Sequence, residues 1–140
     1  MQYRRNENDS WQSYTIDTVI TLTNIGDYVQ FKNTEYMSFN TRFYVTFVMT
    51  GKIRAEGDIQ SLVNYSDTCD SYCYYKLFAN CTSLIKAPKL TATILANNCY
   101  EYMFAGTSAV IAPTLPAPEL VSSCYEGMFN GCTELTGITA

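Results

Sequence analysis

Residues 95–106 read LANNCYEYMFAG, and residues 120–131 read LVSSCYEGMFNG. Cys, Tyr, Met and Phe keep their places in the two phrases while the letters between them change, and a fainter third copy, SYCYYKLFAN, begins at Ser71. Cys73, Cys99 and Cys124 recur at two nearly equal steps, the second shorter than the first by a single residue, and Phe78, Phe104 and Phe129 are separated by the same two steps. A unit of this size cannot bury both sides of its own apolar layer, so repetition points to units that cover one another.

Within a unit, Leu95, Cys99 and Met103 fall at i, i+4 and i+8 with Tyr100 and Phe104 beside them, which predicts a helix of two or three turns ended by Ala105 and Gly106. The segments CTSLIKAPKL from Cys81 and TSAVIAPTLPAPE from Thr107 then predict a short strand that stops before Pro88 or Pro113, because proline cannot donate to a sheet ladder. The expected fold class is therefore an α/β repeat, a leucine-rich-repeat solenoid of about 2.5 units of 25–26 residues. Its core would be Cys73, Phe78, Cys81 and Leu84 from the first unit, Cys99, Met103 and Phe104 from the second, and Cys124, Met128, Phe129, Cys132 and Leu135 from the third.

Upstream the pattern changes to a period of two. In YTIDTVITL, Ile16, Ile20 and Leu22 share one face; in YVQFK, Val29 and Phe31 do; in RFYVTFVMT, Phe43, Val45, Phe47 and Met49 do, opposite Tyr44, Thr46 and Thr50. Turn residues at NENDS, NIGD and TGK separate these runs, and QYRR reads as a further strand, so hairpins and antiparallel order follow. Residues 32–41 read as a longer loop. The expected division is an antiparallel β module over 1–66 and the repeats over 67–140.

Composition excludes several functions. A net charge of −4 without a Lys/Arg run gives no footprint for nucleic acid. No stretch approaches the roughly 18 apolar residues of a membrane span. The absence of histidine removes the usual general base and the commonest metal ligand. The six cysteines contain no CxxC pair, and those of the repeated columns read as buried thiols acting as small hydrophobes, with a disulfide among them as the alternative. Asp67 and Asp70 in DTCD are too few oxygen ligands for calcium, and Glu56 and Asp58 read as a turn. No catalytic residue, cofactor or metal is expected.

The stretch CYEYMFAGTSAVIAPTLPAPELVSSCYEGMFNGCTEL, with LFANCTSLIKAPKL at residues 77–90, resembles the BspA-like branch of the leucine-rich repeats, whose units follow CYxxMFxGCTSLxxAPxLPAxxLxxxCY. WQSYTIDTVITLTNIGDYVQFK and TFVMTGKIRAEGDIQSLV resemble the small β module that precedes such repeats in proteins of gut bacteria and their phages. The resemblance implies a non-enzymatic adhesion or protein-interaction module, extracellular or on a bacterial surface, with a protein or glycan ligand on a host or neighbouring cell. Its alternatives are a phage tail-fibre or receptor-binding component in a virion, and a structural spacer within a larger chain. Thr107 departs from the pattern in place of a cysteine, and the third unit ends LTGITA without an Ala-Pro pair.

Two surfaces are expected to meet partners. Tyr75, Lys76, Glu101, Tyr102 and Glu126 occupy drifting positions of the phrase and should face solvent, where tyrosine offers a large contact area at low entropic cost. The last unit carries no polar cap, so it should be continued by further repeats or covered by another chain, with self-association as one outcome.

Overall fold

Backbone N–H groups in the repeated phrase go alternately to two destinations. Over residues 71–81 every second one closes a turn three residues back: Cys73 to Asp70, Tyr75 to Tyr72, Leu77 to Tyr74, Ala79 to Lys76 and Cys81 to Phe78, at 3.1–3.2 Å. Those in between, on Tyr72, Tyr74, Lys76, Phe78 and Asn80, reach sideways to the carbonyls of Asn97, Cys99, Glu101, Met103 and Ala105 at 2.7–3.3 Å. The second phrase repeats the scheme, with Asn98, Tyr100, Tyr102, Phe104 and Gly106 donating to Ser122, Cys124, Glu126, Met128 and Asn130 at 2.8–3.0 Å. Three ribbons of overlapping turns, over residues 71–81, 97–107 and 122–132, thus lie edge to edge.

Such a ribbon needs a left-handed residue at every fourth position. These are Tyr72, Lys76 and Asn80 in the first ribbon, Asn98, Tyr102 and Gly106 in the second, and Ser123, Gly127 and Gly131 in the third, with φ between 54° and 72°. A residue with a Cβ costs roughly 1–2 kcal/mol there. Every four residues also gain two sideways hydrogen bonds, each with a net value of about 0.5–1.5 kcal/mol, and bury two side chains. Across Cys73–Asn80 the burial runs two in and two out, with Cys73, Tyr74, Leu77 and Phe78 inside.

The computed structural model describes residues 1–34 and 44–138. It overturns the expected fold class. Among the described residues only 4% are helical and 18% extended, nearly all the rest is coil, and the chain is not an α/β leucine-rich-repeat solenoid. The helix expected from Leu95, Cys99 and Met103 is the second turn ribbon, because a left-handed residue at Asn98 and again at Tyr102 interrupts any α-helical path. The expected strands are short. β6 spans Leu84–Lys86, and the equivalent place in the next unit holds a single bridge, Ile111 to Gly137.

The recurring letters nevertheless face one another. Phe78 stacks on Phe104 with ring centres 5.5 Å apart, Phe104 on Phe129 at 6.0 Å, and Phe47 on the other face of Phe78 at 5.3 Å. A second column stacks Tyr74, Tyr100 and Tyr125 at 5.4 and 5.6 Å. Tyr100 and Phe104, the middle rings of the two columns, are fully buried, as are Cys99 and Met103 beside them in the chain. Of the expected core, Cys73, Phe78, Cys81, Leu84, Cys124 and Met128 are also buried, whereas Phe129, Cys132 and Leu135 are half-buried.

The chain divides into two compact units, one of Met1–Met37 with Ser61–Tyr65 and the other of Ser38–Gln60 with Ser66–Ala140. The stretch from Tyr44 to Gln60, expected with the N-terminal module, therefore belongs with the ribbons. Phe47 N–H donates to Leu77 O at 2.8 Å and Thr46 Oγ1 to Lys76 O at 3.0 Å; farther on, β4 (Ile53–Arg54) pairs in parallel with β6. β5 (Thr68–Cys69) pairs in parallel with β7 (Ile94–Leu95). The strand expected over 42–50 is not formed in its described part, residues 44–50. Phe43 and residues 35–41 of the expected loop lie outside the described residues.

The first unit holds the expected antiparallel sheet, ordered β2-β1-β3, with β1 at Gln2–Arg5, β2 at Gln12–Ser13 and β3 at Val29–Lys32. Tyr3, Tyr14 and Phe31 pack edge to face on it, and Trp11 lies between Arg4 and Lys32. The run from Tyr14 to Leu22 forms no strand. A turn closes from Thr18 N–H to Thr15 O at 3.1 Å, and left-handed Asp17 ends the alternation.

All six cysteines are free, five of them buried. Cys69 Sγ donates to the Tyr100 hydroxyl at 3.2 Å, and the Tyr74 hydroxyl donates to Gln60 Oε1 at 2.6 Å. The Cys73 and Cys99 thiols lower the Cys69 pKa against the opposing effect of its burial, and their contact with Cys69, together with burial, pushes Cys73 and Cys99 up. Burial alone raises Cys81 to about 11. Access outweighs acidity here, because a fully buried sulfur cannot meet a reagent.

Two outcomes are expected. Iodoacetamide added to the native protein at neutral pH modifies Cys132 before any other thiol, and all six only after unfolding, as read by intact mass. In urea unfolding, Phe104→Ala costs about 3–5 kcal/mol. A Cβ at Gly57 meets nothing within 4 Å, but at Gly127 it overlaps the Tyr102 ring. Gly57→Ala therefore costs only the backbone strain of about 1–2 kcal/mol, and Gly127→Ala a further 1–3 kcal/mol or so from overpacking.

Candidate interaction surface

The left-handed positions of the ribbons turn their side chains away from the core, and one set of them builds a surface cluster. Lys76, Tyr102 and Gly127 occupy equivalent left-handed positions in the three ribbons. Tyr102 lies flat over Gly127, whose missing side chain leaves room for the ring. Lys76 lies on its other flank, with Nζ 5.7 Å from the Tyr102 ring centre.

The same ammonium sits 5.0 Å from the Tyr75 ring and 5.8 Å from that of Tyr44. Tyr75 meets Tyr44 edge to face at 5.3 Å and Tyr72 edge to face at 5.8 Å. Each cation–ring contact at an exposed site contributes roughly 0.5–1 kcal/mol, enough to hold a side chain that would otherwise sample many rotamers. The Tyr75 hydroxyl, with smaller contributions from Tyr44 and last from Glu101, raises the Lys76 pKa, so the ammonium stays charged at neutral pH. Glu101 is held by Asn98, whose Nδ2 donates to Oε2 at 2.6 Å.

Of the residues expected at the surface, the structure brings Tyr75, Lys76 and Tyr102 into one cluster with Glu101 beside it. Glu126 is the exposed third member of the column that starts with Tyr75 and Glu101, and its carbonyl accepts the Tyr102 N–H at 2.9 Å. Tyr44 and Tyr72 complete the cluster and were not anticipated. The signal for Tyr44 is a shared offset: it precedes Tyr75 by the same distance as Phe47 precedes Phe78 and Ile53 precedes Leu84. Residues 44–53 therefore carry a degenerate version of the phrase, without its cysteine and tyrosine.

The hollow lined by Tyr44, Val45, Tyr72, Tyr75 and Leu77 is too narrow to admit a water molecule, which suits contact with a broad partner better than capture of a small molecule. Tyr44 is 47% exposed. Among the described residues no group of three His, Cys, Asp or Glu is placed to hold a metal ion, and no helix is long and apolar enough to cross a membrane. No protein-family model, no curated protein and no solved structure matches the chain.

Three ring faces around one ammonium shield its neighbouring protons. In the NMR spectrum the Lys76 Hε resonances are expected upfield of those of Lys52, which is exposed and, among the described residues, has no ring beside it. Tyr102→Leu and Tyr75→Leu each return them part of the way; unchanged shifts in both variants would place Lys76 outside the cluster.

Proposed function

We propose that the chain is a non-enzymatic interaction module, exported or displayed at a bacterial surface, and that the Tyr44–Tyr72–Tyr75–Lys76–Tyr102 cluster is its contact face for a partner protein. The observation that carries this reading is the cluster itself: four tyrosines and one lysine, half-exposed, fixed from behind by sideways backbone hydrogen bonds rather than by a flexible loop. Interface hot spots are rich in tyrosine because a rigid ring buries area with little loss of rotamer freedom. Here the rings are already ordered in the free chain, which lowers the entropic cost of association.

Support for a non-enzymatic role is chemical. Without histidine, a nucleophile would need another base, and the most acidic thiol, Cys69, is buried beneath the aromatic columns. The carboxylates give no better alternative: Glu56 is paired with Lys86 at 2.7 Å, and Asp58 accepts the Thr91 hydroxyl.

The test is a screen of the purified chain against extracellular-matrix proteins and a glycan array, repeated with Tyr75→Ala/Tyr102→Ala and with a distant control, Ile94→Ala. A protein ligand whose affinity falls at least tenfold with the double variant and not with the control is the expected result. Hits confined to glycans, or undiminished binding by the double variant, would remove this face as the contact site.

A further inference from the structure

In the third ribbon the odd-numbered N–H groups of Ser123, Tyr125, Gly127, Phe129 and Gly131 occupy the places from which the first two ribbons donate sideways. The turn-closing bonds of this ribbon are all present: Cys124 to Val121, Glu126 to Ser123, Met128 to Tyr125, Asn130 to Gly127 and Cys132 to Phe129. Among the described residues none of the five sideways donors has an acceptor. The ribbon is fully formed, yet its outer edge is a row of donors at alternate positions. Along that edge Phe129 and Tyr125 are half-buried, whereas Phe104 and Tyr100 in the ribbon before are fully buried.

We propose that this edge is a docking site for a polypeptide segment of another protein that carries the same turn phrase, adding as a fourth ribbon. The donor row determines the chemistry of the occupant. It must present carbonyl oxygens at alternate residues, as Ser122 to Asn130 present them to the second ribbon, and a ring to lie on Phe129. A nucleic acid or a lipid surface offers no such repeating pattern.

A second copy of this chain is a poor occupant for two geometric reasons. Face to face, two such edges would set donors against donors. Head to tail, the matching carbonyl edge is that of the first ribbon, where Phe47 N–H already holds Leu77 O and the Phe47 ring already covers Phe78. Among the described residues the first ribbon's carbonyl edge is thus already covered at Leu77 and Phe78, where a ring of the incoming edge would have to lie. This docking edge is separate from the tyrosine and lysine cluster and stands without it.

Amide hydrogen exchange followed by NMR tests the proposal, with a synthetic peptide of residues 120–138 as probe under reducing conditions. In the free monomer the amides of Ser123, Tyr125, Gly127, Phe129 and Gly131 are expected to exchange at least tenfold faster than those of Tyr100, Tyr102, Phe104 and Gly106. Saturating peptide slows the five by at least tenfold, and a scrambled peptide of the same composition does not. Slow exchange of the five in dilute protein alone would overturn the proposal, as would no slowing with peptide or equal slowing with the scrambled sequence. Protection that grows with protein concentration in the absence of peptide would assign the edge to self-association instead.

Discussion

The architecture of the ribbons depends on one constraint: a backbone N–H can satisfy only one acceptor, and in this chain adjacent N–H groups are committed in opposite senses. One closes a turn within the ribbon and the next ties the ribbon to its neighbour. In an α-helix all N–H groups point along the axis, and in a strand alternate groups point to opposite edges. The ribbon combines local closure with lateral pairing, so it stacks as a sheet does while remaining as short as a turn. Left-handed residues at every fourth position are the geometric condition for this, and tyrosine and lysine are held there despite the strain.

That constraint also connects packing with surface chemistry. With two residues turned inward and two outward in each group of four, the inward pairs form the Tyr74–Tyr100–Tyr125 and Phe78–Phe104–Phe129 columns. The outward pairs form the columns of Tyr75, Glu101 and Glu126 and of Lys76, Tyr102 and Gly127. The same sideways hydrogen bonds hold the backbone that carries both the outward and the inward rings. A cationic aromatic cluster on such a support presents a preformed surface, with the ordering entropy already lost on folding.

Much of this was legible in the sequence, and the part that was not has a definite cause. The recurrence of Cys, Tyr and Phe at two nearly equal steps revealed which side chains meet, the β3 strand followed from alternation, and β1 from its place before the NENDS turn. The backbone between the recurring letters was misread. Leu95, Cys99 and Met103 recur at every fourth position; on an α-helix each such step drifts by only about 40°, so over this short span a turn ribbon and a helix predict the same apolar face. The distinguishing letters were Asn80, Gly106 and Gly131, one column of residues that tolerate positive φ. Tyr72, Lys76 and Tyr102 carry no such mark. Tyr44 was missed because its phrase lacks the cysteine and stands farther upstream of Tyr75 than Tyr75 stands upstream of Glu101, outside the repeat period.

The unequal steps between ribbons set rules for how the chain can change length. The second ribbon donates sideways from even-numbered residues, whereas the corresponding N–H groups of the third are odd-numbered, because the connection between them is one residue shorter than the one before. Connecting segments thus absorb single insertions and deletions without disturbing either ribbon. Inside a ribbon a one-residue insertion would exchange the roles of all later N–H groups and move every ring off its column. Viable length variation there is restricted to blocks of four, a reading frame imposed by hydrogen bonding on the folded chain.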